Sequence, residues 1–500
     1  MPVTTTAAPS HAEAPKTQPV KPDRPDRPER AEPAQRVSPR LTATDLAAAT
    51  PVGRDRTVDL LRVSAIAVVV IGHWLMAVVS WRHGKFTAGN LLQVAPATQW
   101  STWALQVMPL FFLVGGYANA ASWTSARRRM AGYPAWLHGR VLRLVRPIVP
   151  LVAAWTIGLT AARMAGANVR LLHTAARLVA MPLWFLAVYA GVVAMTPVML
   201  ALHDRYGLRV VGGLAGAALV VDTLAWHAGL PLIGWANFAF VWLCAHQLGF
   251  VWRDQLATGA RRGANGWFLV VGGLVTLAVL TQVGGYPRSM VGGPGARSNN
   301  TPPSLALVAL AVVQLGIVML ARPALHRWLR RPRVWRNVVA ANGAAMTLFL
   351  WHLTALCLAS IGFLATGWFP QPPVASLAWW LLRPAWLMAL AAFLAPLVAA
   401  AVWVERQPVR VRASRVGLAP LLRAATGAVL VAASLAVLSA LGLPTAATPG
   451  WWLSTAAIPA MGSGVALIRS SLLMELTCPA GRSDPRAAPR RRARWSTLRA

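Results

Sequence analysis

The chain has 500 residues, of which 56% are hydrophobic and only 12% are charged. This charged fraction is roughly half that of a soluble globular domain, which excludes that class, and the apolar content excludes a disordered or disulfide-stapled chain. The composition therefore predicts an integral membrane protein with many spans. The net charge of +34 does not indicate a nucleic-acid partner, because the arginines lie in short clusters between apolar runs rather than on one basic domain.

The N-terminal segment, residues 1–55, is rich in Pro, Ala and Arg and shows no apolar periodicity. Such a composition predicts a disordered tail. The segment also lacks the apolar stretch of a signal peptide, so we expect the first span to act as its own insertion signal.

Apolar stretches long enough to cross about 30 Å of hydrocarbon recur from residue 58 onward. They predict an all-α bundle of about 10 to 12 transmembrane helices. The predicted spans are 58–79, 101–122, 147–165, 181–202, 208–225, 235–252, 267–282, 304–321, 342–364, 383–403 and 420–442, with a weaker twelfth candidate at 451–469. We therefore expect a transmembrane domain over 56–442, followed at 443–500 by an extra span and a basic disordered tail.

Every second loop between these spans carries most of the arginines, as in the clusters at 127–146 and 322–336. By the positive-inside rule, these loops and the N-terminus face the cytoplasm. We expect a multi-pass protein of the cell membrane with a cytoplasmic N-terminus. The side on which the C-terminus lies depends on whether the twelfth span exists.

Carboxylates are scarce inside the predicted spans. Asp59, Asp222 and Glu405 lie near span ends, and the polar side chains at depth are chiefly histidines. Cation-coupled transport commonly uses carboxylates at depth, and no nucleotide-binding P-loop occurs, so the pattern favours an enzyme over an energised transporter. A multi-span exporter or flippase of a lipid-linked or secondary-metabolite cargo is the alternative.

The first span combines a guanidinium and an imidazole on one face. Arg62 and His73 are eleven residues apart, which is about 1100° of helix rotation and about 16.5 Å of rise. Asp59 is placed to pair with Arg62. An imidazole can take a proton from a hydroxyl, and a guanidinium can hold a phosphate or carbonyl group. In the structural alternative, Arg62 snorkels to headgroups and His73 is a hydrogen-bonded core histidine.

The segment Arg56-x-x-Asp59-x-x-Arg62 followed by His73 resembles the first-helix motif of the acyltransferase-3 family of membrane acyltransferases, whose hallmark is Arg-x10-His. Further resemblances follow in the order of that family and extend over residues 56–403. These segments are FFLVGGY at 111–117, RVLRLVRP at 140–147, PLWFLAVY at 182–189 and LFLWH at 348–352. Two positions depart from the family pattern: Gly115 replaces a usual serine, and Tyr189 stands where many members have glutamate.

The resemblance implies a membrane O-acyltransferase. It would move a short acyl group, such as acetyl or succinyl, from acyl-CoA to a hydroxyl of a cell-envelope glycan or a secondary metabolite. His73 would be the general base and Arg62 would contact the donor. Acyl-CoA is then a substrate, and neither a permanently bound cofactor nor a metal is expected. The implied partners are acyl-CoA, a carbohydrate or small-molecule acceptor, and the lipid bilayer, with no nucleic acid.

Three further arginines are candidates for the donor site. Arg140, Arg143 and Arg146 recur at every third position before Pro147, where they would form a basic stripe for the phosphates of coenzyme A. The alternative is that they only anchor the loop in the cytoplasm.

Three other side chains are candidates by motif position. We interpret Trp184 and Tyr189 as interface or packing aromatics, because belts of such residues are routine at membrane surfaces. His352 lies near the start of the ninth predicted span, where it either packs structurally or belongs to the site.

Overall fold

The computed structural model describes residues 42–51, 53–258, 262–292, 297–405, 417–445 and 450–472. Within these ranges the chain is a bundle of helices with one short hairpin, and eleven of the helices are long and apolar enough to cross a membrane. The expected all-α membrane architecture is thereby confirmed. The predicted basic C-terminal tail and most of the predicted N-terminal tail lie outside the described residues.

The described residues form two strands and seventeen α-helices. The strands are β1 (Ala77–Arg82) and β2 (Lys85–Asn90). The helices before residue 230 are α1 (Ala43–Ala48), α2 (Arg56–Met76), α3 (Leu91–Val94), α4 (Thr102–Leu105), α5 (Met108–Arg128), α6 (Tyr133–Val145), α7 (Ile148–Met164), α8 (Val169–Ala180), α9 (Leu183–Tyr206) and α10 (Leu208–Trp226). The later helices are α11 (Asn237–Thr258), α12 (Arg262–Gln282), α13 (Leu305–Trp328), α14 (Pro332–Ala359), α15 (Leu377–Glu405), α16 (Leu418–Leu441) and α17 (Trp451–Ser470). Short 3-10 helices lie at Pro96–Ser101 and Pro231–Ala236, and a π-helical turn at Ser360–Leu364 extends α14.

Several helices, among them α1 and α6, occur where the sequence was interpreted as a tail or a loop. The helix α1 falls inside the segment predicted to be disordered, and it packs on α14, where Trp335 donates a hydrogen bond to Thr50 Oγ1 (3.0 Å). The helix α6 falls inside the predicted basic loop. Its apolar side chains Trp136, Leu137 and Val141 are buried, and this packing stabilises the short amphipathic helix. The arginines of the segment led to its interpretation as a loop.

Two predicted spans differ from expectation in whether they form helices long and apolar enough to cross a membrane. The weak candidate 451–469 is the helix α17, which belongs to the eleven membrane-length apolar helices. The predicted span 235–252 corresponds to α11, which does not belong to them. The reason is the number of polar residues in α11, which include His246 and Gln247, both fully buried among neighbouring helices.

The first predicted span ends earlier than expected, because α2 stops at Met76 and the chain turns into the hairpin. The strands β1 and β2 pair antiparallel, with Ala77 opposite Asn90. Their two-residue turn, His83–Gly84, has positive φ at both positions (51° and 74°), as a type I′ hairpin turn requires. This hairpin therefore begins only four residues after His73.

Glycines set the close approach of α5 and α11. A side chain at Gly116 would overlap the backbone carbonyl of His246, and one at Gly249 would overlap that of Leu113. Small residues allow such contact between membrane helices and hold them together by van der Waals packing. The pair forms the rigid centre of the bundle, against which α2 and α9 also pack.

A buried carboxylate anchors the segment between α12 and α13. Asp222 accepts hydrogen bonds from Asn237 Nδ2 (2.8 Å), Tyr286 OH (2.9 Å) and the backbone N–H of Leu305 (2.8 Å). Burial and the neighbouring carboxylate raise the pKa of Tyr286, so its phenol remains a donor at physiological pH. Tyr286 and Leu305 are thereby tied to α10 and α11.

Candidate active site

One end of α2 carries a network of paired charges. The Asp59 carboxylate is buried and accepts hydrogen bonds from Arg54 Nε (2.6 Å) and from Arg62. The hydrogen bond to Asp59 raises the pKa of Arg54. Arg62 also donates from Nε to Asn342 Oδ1 on α14 (3.0 Å). The expected pairing of Asp59 with Arg62 is present, and two helices fix the orientation of the Arg62 guanidinium.

At the other end of α2, His73 meets His352 of α14. The nitrogen atoms His73 Nδ1 and His352 Nε2 are 2.8 Å apart, and the two rings are nearly parallel. His352 is fully buried, and its Nδ1 lies 2.6 Å from the carbonyl oxygen of Phe349. Trp74 donates from Nε1 to the His352 carbonyl oxygen (3.0 Å). The adjacent helices α2 and α14 therefore hold the two imidazole rings in contact with each other.

These contacts determine which nitrogens carry protons when both rings are neutral. A carbonyl oxygen only accepts, so His352 Nδ1 must carry the proton that it donates to Phe349. The Nε2 of His352 is then an acceptor, and His73 Nδ1 must carry the proton between the rings. This assignment leaves the lone pair of His73 on Nε2, which makes no hydrogen bond within the part of the chain that the structure describes.

His73 lies on the wall of a cavity of about 610 Å³. The cavity occupies the same end of the bundle as the hairpin, and aromatic residues of α9 and α14 form part of its wall, namely Trp184, Phe185 and Phe349. Its volume is in the range of small-molecule sites. The imidazole nitrogen that is left as an acceptor therefore belongs to a side chain that a ligand can reach.

The arginine cluster lies near the opposite end of α2. Arg62, Arg140 and Arg143 are close enough for their positive charges to repel one another, although they come from two helices. Arg140 donates to the carbonyl of Ala118 (3.3 Å), and Arg143 donates to that of Gly139 (2.9 Å). Grouped guanidinium ions of this kind form a site suited to phosphate or carboxylate groups.

A family model described as an acyltransferase domain, that of the acyltransferase-3 family, matches residues 55–404. The chain belongs to this family. No curated protein and no solved structure gives a match. The protein is therefore an acyltransferase, and the eleven membrane-length helices among its described residues make it a multi-pass membrane enzyme.

The two positions at which this acyltransferase departs from the family pattern are in contact. A Cβ atom at Gly115 would lie 2.8 Å from Tyr189 Cε2, so the tyrosine ring fills the space that a serine side chain would need. The Tyr189 hydroxyl accepts a hydrogen bond from Asn119 Nδ2 (3.4 Å), and its ring stacks on Phe185. The two departures are thus in direct contact, and Tyr189 packs between the arginine cluster and the cavity wall.

The remaining predicted residues of the acyltransferase occupy distinct positions. Trp184 lines the cavity rather than only an outer aromatic belt. Arg146 caps the C-terminus of α6 through its backbone N–H, which donates to Leu142.

Asn342 was missed by the sequence analysis. Its signal in the sequence is a polar amide at the first position of the predicted span 342–364.

Proposed function

We propose that this membrane acyltransferase uses acyl-CoA as donor and esterifies a hydroxyl of an acceptor bound in the cavity beside His73. The acceptor class implied by the family is a cell-envelope glycan or a secondary metabolite. The observation that carries the proposal is the position of His73, whose Nδ1 is hydrogen-bonded to His352 and which lines the cavity.

In the proposed reaction, His73 Nε2 takes the proton of the acceptor hydroxyl while the oxygen attacks the thioester carbonyl carbon. The carbon–sulfur bond then breaks, the new ester leaves with the acceptor, and the coenzyme A thiolate takes the proton back from His73. His352 accepts the hydrogen bond from His73 Nδ1 throughout, which orients the ring and stabilises its protonated form. His352 is therefore a positioning residue.

Donor binding is assigned to Arg62, Arg140 and Arg143. Their mutual repulsion costs free energy that an incoming polyanion relieves, so the phosphates of coenzyme A are suited to this cluster. Arg62 and His73 are separated by about 16.5 Å along the axis of α2. The flexible thiol arm of coenzyme A has to bridge this distance to bring the thioester to the imidazole.

The proposed orientation in the membrane follows from the positions of the arginine cluster and the cavity, which lie near opposite ends of α2. Acyl-CoA is a cytoplasmic compound, and arginine-rich loops favour the cytoplasmic side. We therefore place the N-terminus and the Arg62 end of α2 in the cytoplasm, and the cavity toward the opposite face of the membrane.

Transfer of label from radiolabelled acetyl-CoA, measured on membranes that contain the enzyme, tests the proposal. His73→Ala should lower the transfer rate by about 10²- to 10⁴-fold at unchanged expression, because the general base is lost. His227→Ala is the matched control, since His227 is exposed at the end of α10, and it should transfer label at the wild-type rate. Equal rates in the two variants would refute the base role of His73.

The pH dependence of the same assay provides an independent test. Protonation occupies the lone pair of an imidazole, so the rate should fall as the pH decreases through the range in which His73 titrates. A rate that does not fall at any acidic pH at which the enzyme remains folded would contradict the proposed base.

A further inference from the structure

The cavity beside His73 has a distinctive chemical character, which bears on the acceptor and rests on the function proposed above. Apart from His73, no described residue that lines the cavity carries an ionisable side chain. Most lining residues are aliphatic or aromatic, among them Val69, Leu75, Leu92 and Trp184. A charged acceptor would lose its hydration here without gaining an ion pair, whereas an apolar body is favoured.

One edge of the cavity is polar but neutral. The buried Gln106 donates from Nε2 to Asn300 Oδ1 (3.0 Å), which fixes the Asn300 amide with its nitrogen directed away from Gln106. Asn300 Nδ2 makes a long contact of 3.5 Å with Thr301 Oγ1, so its donor capacity is weakly used. This amide supplies a donor for a ligand oxygen.

Hydroxyl groups on the same wall supply acceptors. Thr98 donates its hydroxyl proton to the carbonyl of Ala95 (2.6 Å), and Ser101 donates to that of Thr98 (2.7 Å). Because each hydroxyl donates to the backbone, its oxygen offers the cavity lone pairs rather than a proton. Such an edge is suited to a neutral group with several hydroxyls, which both donate and accept.

The rim of the cavity contains large apolar side chains on the protein surface. Leu105, Met181 and Trp380 line the cavity and are exposed by 43%, 38% and 40%. They come from α4, the link between α8 and α9, and α15, all at the hairpin end of the bundle. Exposed apolar residues that border an opening are favourable where that opening meets lipid rather than water.

We infer that the acceptor is an uncharged amphiphile that enters the cavity from the membrane. Its hydroxylated head, such as a neutral sugar ring, lies between the Asn300 edge and His73, and its apolar body lies along the aliphatic and aromatic wall toward the rim. Two sources share this chemistry: a neutral membrane glycolipid and a glycosylated hydrophobic metabolite.

Photo-crosslinking on the full-length His73→Ala enzyme tests the inference without requiring turnover. The probe is an octyl β-glucoside whose chain carries a benzophenone. Labelling should fall on peptides of α2, α9 or the hairpin, and octyl glucoside should compete. Octyl glucuronide, which adds one carboxylate, should compete at least about tenfold less well, and glucose, which has no apolar body, should not compete. Equal competition by the glucuronide, or labelling elsewhere, would overturn the inference.

Two cavity variants sharpen the test. Gly72 lines the cavity, and a Cβ there meets nothing within 4 Å, so Gly72→Leu should fill the space and lower labelling by about tenfold. Gly158→Leu is the matched control, because Gly158 is also a helical glycine with nothing within 4 Å but does not line the cavity. Equal labelling of the two variants would contradict the assigned cavity.

The second variant, Asn300→Asp, keeps the oxygen that Gln106 holds and adds a negative charge at the polar edge. It should shift competition from octyl glucoside toward cationic octyl glucosaminide, and an unchanged preference would refute the assignment of the edge.

Competition by glucosyl diacylglycerol in vesicles distinguishes a glycolipid acceptor from a metabolite, for which only the soluble glucoside competes. Loss of label transfer in His73→Ala remains a separate result, so the inference can fail while the proposed function stands.

Discussion

Two histidine clusters in this bundle show what distinguishes a candidate site from structural polarity. In the first cluster, His73 pairs with His352 and lines a cavity. In the second, His203 lies 2.9 Å from both Gln247 Nε2 and Asp254 Oδ2, so both of its ring nitrogens have partners. Burial and polar contacts are common to both clusters. The difference is that a histidine of the first cluster lines a cavity, and on this difference we propose chemistry for the first cluster and packing for the second.

The largest effect that separates the clusters is expected at His352. Replacement by alanine removes the acceptor that orients His73 Nδ1, so the transfer rate should fall by about 10²-fold with little change in the apparent affinity for the acyl-CoA donor. His352→Gln restores an acceptor oxygen and should recover much of the rate. If His352 only supported the fold, both variants would instead lose folded protein. The pH dependence of the transfer rate per folded molecule would then stay unaltered.

A smaller and different effect is expected at His203. His203→Ala leaves the buried Gln247 amide without its partner and should lower the free energy of unfolding by about 1–3 kcal/mol. The transfer rate per folded molecule should stay close to that of the wild type. Thermal unfolding in detergent and specific activity, measured on the same preparation, provide the check. A loss of specific activity as large as in His352→Ala would remove the distinction between the clusters.

An effect on stability of similar size is expected at the contact between α5 and α9. Gly115→Ser introduces a side chain against the Tyr189 ring and should cost about 1–3 kcal/mol through overpacking. In Gly115→Ser/Tyr189→Glu the ring is removed, and the new carboxylate faces Arg140 and Arg143, so the double variant should be more stable than the sum of the single changes predicts. Thermal unfolding of all four proteins measures this coupling, and strict additivity would show that the two positions are independent.

The helical architecture and the Arg62–His73 face were predictable from local sequence. Apolar runs of membrane length and the 3.6-residue period are properties of neighbouring residues, and they fixed most spans to within a few positions. The pairing of Asp59 with Arg62 followed from their three-residue separation. The base role of His73 and the donor role of the arginines stay predictions, to be tested as described.

Other features depend on tertiary contacts that no local pattern encodes. His352 is 279 residues from His73, and only the packing of α14 on α2 brings their rings together. The helix α6 was not predicted because its arginines match the pattern of a cytoplasmic loop that sets membrane topology. The hairpin was missed because Val78, Val79 and Trp81 continue the apolar run of α2, although His83–Gly84 is a recognisable turn signal.

The hairpin has a consequence for how substrate range changes among related enzymes. Ala77, Gly89 and Asn90 border the cavity, yet they belong to a small unit closed by its own turn and located outside the helical frame that holds the two imidazoles. On the function proposed above, exchange of residues 77–90 between paralogues is therefore expected to change which alcohol is esterified without altering the donor site, which makes this loop a natural point for diversification and for engineering.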